Sequence, residues 1–500
     1  MLERDMRFPY GISDFSEIRT EGYFYADRTD RIPLLERAKY LLFLRPRRFG
    51  KTLLLSTLAH YYDIALKDAY DTLFGSLAIG PKPTRLRNRY LILKWDFSCV
   101  DSFGQAEAMR QALHDHINSR IESFCAGYGS PFTERVRIDW SNAINSLESL
   151  RSTVLKSETP VYLLIDEYDN FANQLMMGVR TDKVSVYEAL VHEEGSLRTL
   201  FKVVKALAGE SVFDRIFITG VSPVVMSDIT SGYNIAENVY LRGVFNDLCG
   251  FTEAEIESAL EAMTAPPAGL AKARVTEALD LMRTYYNGYT FSPEADRCVY
   301  NPTLSLYFLK YLDDEGVYPR QMLDTNLSID EAKLDYIAQV SDGRQLLLDL
   351  LRGDRSVAVS ELPDRFSIRY MLTDGSPDSA LKTAFLYYFG VLTMSGVTDV
   401  GEIILKIPNL AIRGLYADRI CEMLLPEPLE RDDGKIAARR LYQTGDMQPL
   451  CDFIEKRYYK VFHNPDYRWA NELTVKTAFL TLWCPLGLIA SGGKKPDKPS

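Results

Sequence analysis

Three short stretches carry residues whose types and spacing suit chemistry on a phosphate. The first is Gly50-Lys51-Thr52, set between an apolar run, Tyr40 to Leu44, and a leucine-rich segment. Strand, loop and helix in that order make a phosphate-binding loop. Its amides and the positive end of the helix face the oxygens, the lysine adds a point charge, and the threonine hydroxyl reaches Mg²⁺. Lys51 and Thr52 fit those two roles, with Arg45, Pro46, Arg47, Arg48, Phe49 and Gly50 as the rest of the cradle. The pattern is irregular, because Arg45 stands where a first glycine is usual and Pro46 fixes a backbone angle. A basic turn capping an ordinary core helix is the bland alternative.

The second stretch weakens that alternative. Val161 to Ile165 is a strand-type run ending in Asp166-Glu167, the Walker B arrangement. Asp166 would join Thr52 in holding Mg²⁺, and Glu167 would polarise a water for in-line attack on a γ-phosphate. The third is Arg215 to Thr219, followed by Gly220-Val221-Ser222-Pro223. In related ATPases the strand between the two motifs carries a polar sensor of the γ-phosphate, which makes Thr219 the first candidate and Ser222 the second. A threonine that merely ends a strand before a turn is the competing reading.

These residues need a parallel sheet with helices around it. Leu53, Leu54, Leu55, Leu58, Tyr61 and Tyr62 recur at helical spacing after the loop and predict one buried face that is core and not cofactor. Tyr90 to Leu93 predicts a second strand, residues 105–157 read mostly as helix, and Asn238 to Leu241 reads as a further strand. Before the loop, an aromatic leader either covers a nucleotide base or packs the first helix onto the sheet. Lys82 to Lys94 is a basic run read as a solvated rim in preference to a nucleic-acid patch. Thr252 with Glu255 forms a capping box that opens a helical lid.

Composition sets the bounds. Five hundred residues predict several domains, and the formal charge of −10 argues against coating nucleic acid nonspecifically. Seven scattered cysteines never take CxxC spacing, and the five histidines form no ligand set. No apolar run approaches the roughly 18 residues of a membrane span. The start of the chain lacks the apolar core of a signal peptide, so a cytoplasmic protein with no membrane partner is expected.

The chain resembles the AAA-ATPase-like family, STAND-related P-loop NTPases in which many members carry a PD-(D/E)XK nuclease-like domain at the C-terminus. The resemblance rests on Phe8 to Ile12, Tyr25 to Thr29, Arg45 to Thr52 (RPRRFGKT), Leu164 to Asp169, Thr219 to Pro223 and Gly250 to Thr252. Tyr286 to Tyr289, Tyr300 to Pro302 and Ile407 to Asn409 add to it. It turns the missing glycine into a family feature. It implies an α/β P-loop domain over 1–250; the residues that follow read as a helical lid and helical region over 251–375 and a winged-helix-like unit over 376–428, favoured as a packing unit over a DNA-binding one. That unit comprises a helix near 378–389 and strand-like runs Val391 to Gly396 and Glu402 to Lys406. Residues 429–484 would be a helical segment like the start of the nuclease domain, and 485–500 a disordered tail. Within that segment only Glu472 matches an acidic position, and one carboxylate builds no nuclease metal site. The domain therefore looks truncated here, either because the protein continues further or because the gene lost the domain, and no nuclease activity is expected.

The resulting expectation is a Mg²⁺-dependent ATPase acting as a nucleotide switch, with Glu167, Lys51 and Thr219 catalytic and Thr52 and Asp166 on the metal. The alternative is a scaffold that holds ATP without turnover, or a nucleic-acid-associated binding protein. A nucleic-acid or protein partner and a homo-oligomer stay open, as does whether Arg47 and Arg48 add charge beside the phosphates or meet a neighbouring subunit.

Overall fold

The apolar runs that precede the three motifs become parallel strands. The computed structural model describes residues 6–100, 106–177, 195–229, 233–264, 269–323, 356–363, 379–424 and 427–453, with isolated positions between 337 and 350. Strands β1 (Tyr40–Leu44), β2 (Leu91–Asp96), β3 (Val161–Asp166), β4 (Phe213–Gly220) and β5 (Glu237–Asn238) form one sheet in the order β2-β3-β4-β1-β5. Every pairing in it is parallel. β3 is buried at each of its positions, as a strand covered on both faces must be, and this explains its continuous apolar run. Helix α1 (Lys51–Tyr62) lies on β3 and β2, α2 (Ala106–Tyr128) on β2, and α3 (Ser196–Gly209) on β4. The strand expected between the two phosphate motifs is there, since β4 separates β1 from β3.

Two local expectations need correction. α1 buries more than the single face its leucines predict, because the leader folds over its other side. Phe15 N donates to Ser56 Oγ at 3.0 Å, and the Tyr25 and Thr57 hydroxyls lie 3.2 Å apart. The strand expected over Asn238 to Leu241 is shorter and earlier. The ladder reaches Val239, whose amide meets Leu42 O, and then the chain turns with Arg242 N donating to Val239 O.

After the sheet, α4 (Glu253–Ala262), α5 (Lys272–Tyr286) and α6 (Pro302–Glu315) build their own apolar cluster around Ile256, Leu260, Met282, Leu304 and Phe308. The expected capping box opens α4, with Thr252 N donating to Glu255 Oε2 at 2.7 Å. Beyond lie α7 (Ser379–Tyr388) and an antiparallel sheet of β6 (Val357–Val359), β7 (Thr393–Val397) and β8 (Ile403–Lys406), then α8 (Leu410–Leu424). The helix and hairpin are those the sequence predicts, with both strands shifted slightly and β6 added. Glu472 and the final tail lie outside the described residues.

Candidate nucleotide-binding site

Parallel strands end at one edge, so residues far apart in sequence gather there. In register, Phe43 pairs with Thr219, Ile165 with Ile218, and Asp96 with Asp166. The loop after β1 closes over this edge and hands the chain to α1 through Gly50, whose φ of 87° suits the turn into the first helical residue, Lys51. The Lys51 ammonium is buried and donates to Arg45 O at 3.0 Å and Pro46 O at 3.2 Å, which pins the side chain back over its own loop.

Thr52, Asp166 and Thr219 meet on one carboxylate. Thr52 Oγ1 donates to Asp166 Oδ2 at 2.7 Å, and Thr219 Oγ1 donates to Asp166 Oδ1 at 2.5 Å. Asp166 is 1% exposed. A buried carboxylate whose two oxygens face hydroxyls, one of them at a helix start, fits the donor set of a P-loop Mg²⁺ site, where the metal also takes phosphate oxygens and waters. Among the described residues no group of three or more His, Cys, Asp or Glu forms a self-sufficient metal cage.

Glu167 follows with a left-handed backbone, φ 49°, a conformation that costs a non-glycine residue energy and clusters at functional sites. Burial pushes its carboxyl above the usual range, and Lys51 and then Arg47 pull it back. Arg47 Nη2 stands 3.9 Å from Glu167 Oε2.

Sequence reasoning missed Asp169. Its fully buried carboxylate accepts from Val221 N, from Ser222 N at 2.8 Å, from Ser222 Oγ and from Asn173 Nδ2. It thereby ties the segment after β3 to the turn after β4. The one signal was its place in the DEYD stretch. Ser222, the second sensor candidate, is consumed by this brace.

Arg45 also needs its side chain placed differently from the cradle expected of it. Its guanidinium turns into the core, between the rings of Phe43 and Phe291, and donates to Leu44 O, Tyr240 O and Phe245 O. Burial lowers its pKa to about 10. Arg45 reaches the loop through its backbone carbonyl alone.

Beside the loop lies a pocket of about 280 Å³, lined by Gly50, Lys51, Thr52 and Glu167 together with Tyr10, Phe24 and Tyr25. The leader is divided: Phe8 and Phe15 are core, while Tyr10, Phe24 and Tyr25 line the pocket. Leu53, Leu54 and Leu58 line it as well, so the leucine face of α1 is shared between core and pocket. Arg28 lines the pocket too, pairing with Glu255 of α4 and donating to Gly250 O at 3.1 Å.

A relative over 89% of this chain and 74% of its own length, at 25% identity, is an uncharacterized protein in the vnfD 5′ region of Azotobacter chroococcum mcd 1. Among solved structures, Aeropyrum pernix ORC1 protein in complex with DNA covers 80% of this chain and 95% of its own at 12% identity, with a TM-score of 0.29, too slight a likeness to bear on fold or function. The family model described as Predicted AAA-ATPase matches residues 9–230, the stretch that holds β1 to β4, the loop and Asp166. Over that stretch, residues 9–230, the chain is similar to the family so described.

Proposed function

We propose that the chain binds ATP in this pocket and hydrolyses it, using the change of bound nucleotide as a switch. The observation that carries the reading is the convergence of Thr52 and Thr219 on Asp166, because it joins two strand ends and a helix start into one polar centre beside a lysine. The phosphates would lie on the loop amides and Lys51, with the base toward Tyr10, Phe24 and Tyr25. Thr52 and Asp166 would hold Mg²⁺, which when bound offsets charge on the β- and γ-phosphate oxygens.

In the hydrolytic step a water oxygen bonds to the γ-phosphorus while the bond to the bridging oxygen breaks. ADP leaves with that electron pair, and the water's proton passes to the Glu167 carboxylate. Thr219 acts through Asp166, which it orients. The division of the chain belongs to the same proposal, with the sheet holding nucleotide and the helices after residue 250 covering it.

The test is binding and phosphate release by the purified chain with Mg²⁺ and ATP. Lys51→Ala should abolish nucleotide binding. Glu167→Gln should keep binding and lose turnover by about 10²- to 10⁴-fold, the range for a general base. Wild-type protein that binds ATP without releasing phosphate would replace this reading with that of a non-hydrolysing scaffold.

A further inference from the structure

The loop brings four cations to the site, Arg45, Arg47, Arg48 and Lys51, and the structure sorts them by what holds each one. Arg45 is committed to three carbonyls and two rings in the core. Lys51 is anchored on two loop carbonyls. Arg48 takes a left-handed backbone, φ 67°, and its carbonyl accepts from Thr303 Oγ1 of α6 at 3.0 Å. Arg47 is the one whose guanidinium lies against Glu167, in a charge contact at 3.9 Å that is beyond hydrogen-bond distance, and its Nε is buried with no hydrogen-bond partner. Nη1 of Arg48 is in the same condition.

We propose that Arg47 is a catalytic arginine acting in cis, parked on Glu167 until the terminal phosphate of the nucleotide draws it away. The proposal rests on the ATPase reading above and names the regulation of that site. A guanidinium carries five donors in a planar fork that matches phosphate oxygens, and here at least one of those donors is buried without an acceptor. A guanidinium lying against Glu167 competes with the attacking water for the carboxylate oxygens. The contact is long and partly exposed, 26% for Arg47 and 24% for Glu167, so it is easily exchanged for a doubly charged phosphate. ADP lacks that group and leaves Arg47 where it is. The exchange makes the loop sensitive to the γ-phosphate and frees Glu167 when there is a bond to break.

The experiment measures the affinities of ADP and of a non-hydrolysable ATP analogue, together with turnover, in Arg47→Ala and Arg47→Lys. Arg47→Ala should leave ADP affinity within about 2-fold, weaken the ATP analogue about 10- to 100-fold, and lower turnover by about 10³-fold, as for arginines in phosphoryl transfer. Arg47→Lys restores a charge without the fork and should recover part of the analogue's affinity. Equal losses for ADP and analogue would mean a structural role and overturn the proposal, as would turnover in Arg47→Ala within about 2-fold of wild type. The affinity ratio decides even if the wild-type chain does not hydrolyse ATP, so the two readings fail separately.

Discussion

The two sheets of the molecule are built differently and do different work. In the parallel sheet all strands point the same way, so Leu44, Asp166 and Thr219 arrive at one edge although they come from separate parts of the chain. In the antiparallel sheet neighbouring strands end on opposite sides, and β7 and β8 are partly exposed. It contributes to the site by touch. Thr393 exchanges hydrogen bonds with the backbone of Thr290, at 2.7 and 3.1 Å, and the flanking Tyr289 and Phe291 rings stand edge-on to Phe49 of the phosphate loop. One sheet gathers the candidate site; the other packs against the loop beside it.

The largest way to break this contrast is Asp169→Ala, which strikes the assembling edge. It would strand the amides of Val221 and Ser222 in a fully buried setting, at about 1–3 kcal/mol for each unsatisfied group and about 4 kcal/mol in all. Urea unfolding should show that loss, and nucleotide binding should fall with it. A variant of wild-type stability would mean that Asp169 braces nothing.

What the sequence revealed of the site follows the same division. β1, the loop, α1 and β3 with Asp166-Glu167 were legible because each is a local run whose period and ending are written in adjacent residues. Arg45 and Asp169 were not. Arg45 finds Phe245 O across 200 residues of chain, and Asp169 finds Ser222 across 53. Neither partner leaves a trace in local spacing. β5 is short for a related reason: the carbonyl of Tyr240, expected in a strand ladder, accepts from Arg45 instead. The leader was ambiguous because stacking on a ligand and packing in a core call for the same aromatic residues, and its residues divide between the core and the lining of the pocket.

A second effect should come from the outer side of the parallel sheet. His116 of α2 sits against β2, where its Nε2 accepts from Asp96 N at 3.3 Å, and burial lowers its pKa from 6.5 to about 4. The unfolded chain therefore binds a proton near pH 6.5 that the folded chain refuses until about pH 4. Stability from this group is present above pH 6.5 and drains away as pH falls toward 4, by at most about 3 kcal/mol. Melting of wild type and His116→Gln between pH 7 and 5 checks it. The wild type should lose more on acidification, and parallel curves would refute the assignment.

The bracing contact itself can be tested at Gly390, between α7 and β7. Its φ is 79°, and a Cβ there would stand 2.7 Å from Cβ of Pro46 in the phosphate loop. Gly390→Ala should cost about 2 kcal/mol, from overpacking and a left-handed alanine, and weaken nucleotide binding several-fold. Gly401→Ala supplies the comparison, because it has φ 89° with nothing within 4 Å. It should carry the backbone cost alone, about 1 kcal/mol, and leave nucleotide affinity unchanged. If the two variants bind nucleotide equally well, the second sheet does not steady the loop.

The smallest expected change sharpens the role of β4, which could be a spacer between the two phosphate motifs or a contributor to them. Thr219 is fully buried, and its hydroxyl is spent on Asp166 Oδ1, which also accepts from Glu167 N at 3.1 Å. Thr219→Val keeps the shape of the side chain and removes the donor. The carboxylate keeps one backbone partner on that oxygen and Thr52 on the other, so folding should weaken by only about 1 kcal/mol. Asp166 would lose one of the two hydroxyls that fix its orientation. Turnover should then drop about 10-fold, close to 1.4 kcal/mol of transition-state stabilisation, with nucleotide affinity little changed. A variant with unaltered turnover would reduce β4 to packing, and one that also lost binding would mean that Thr219 holds the loop itself in place.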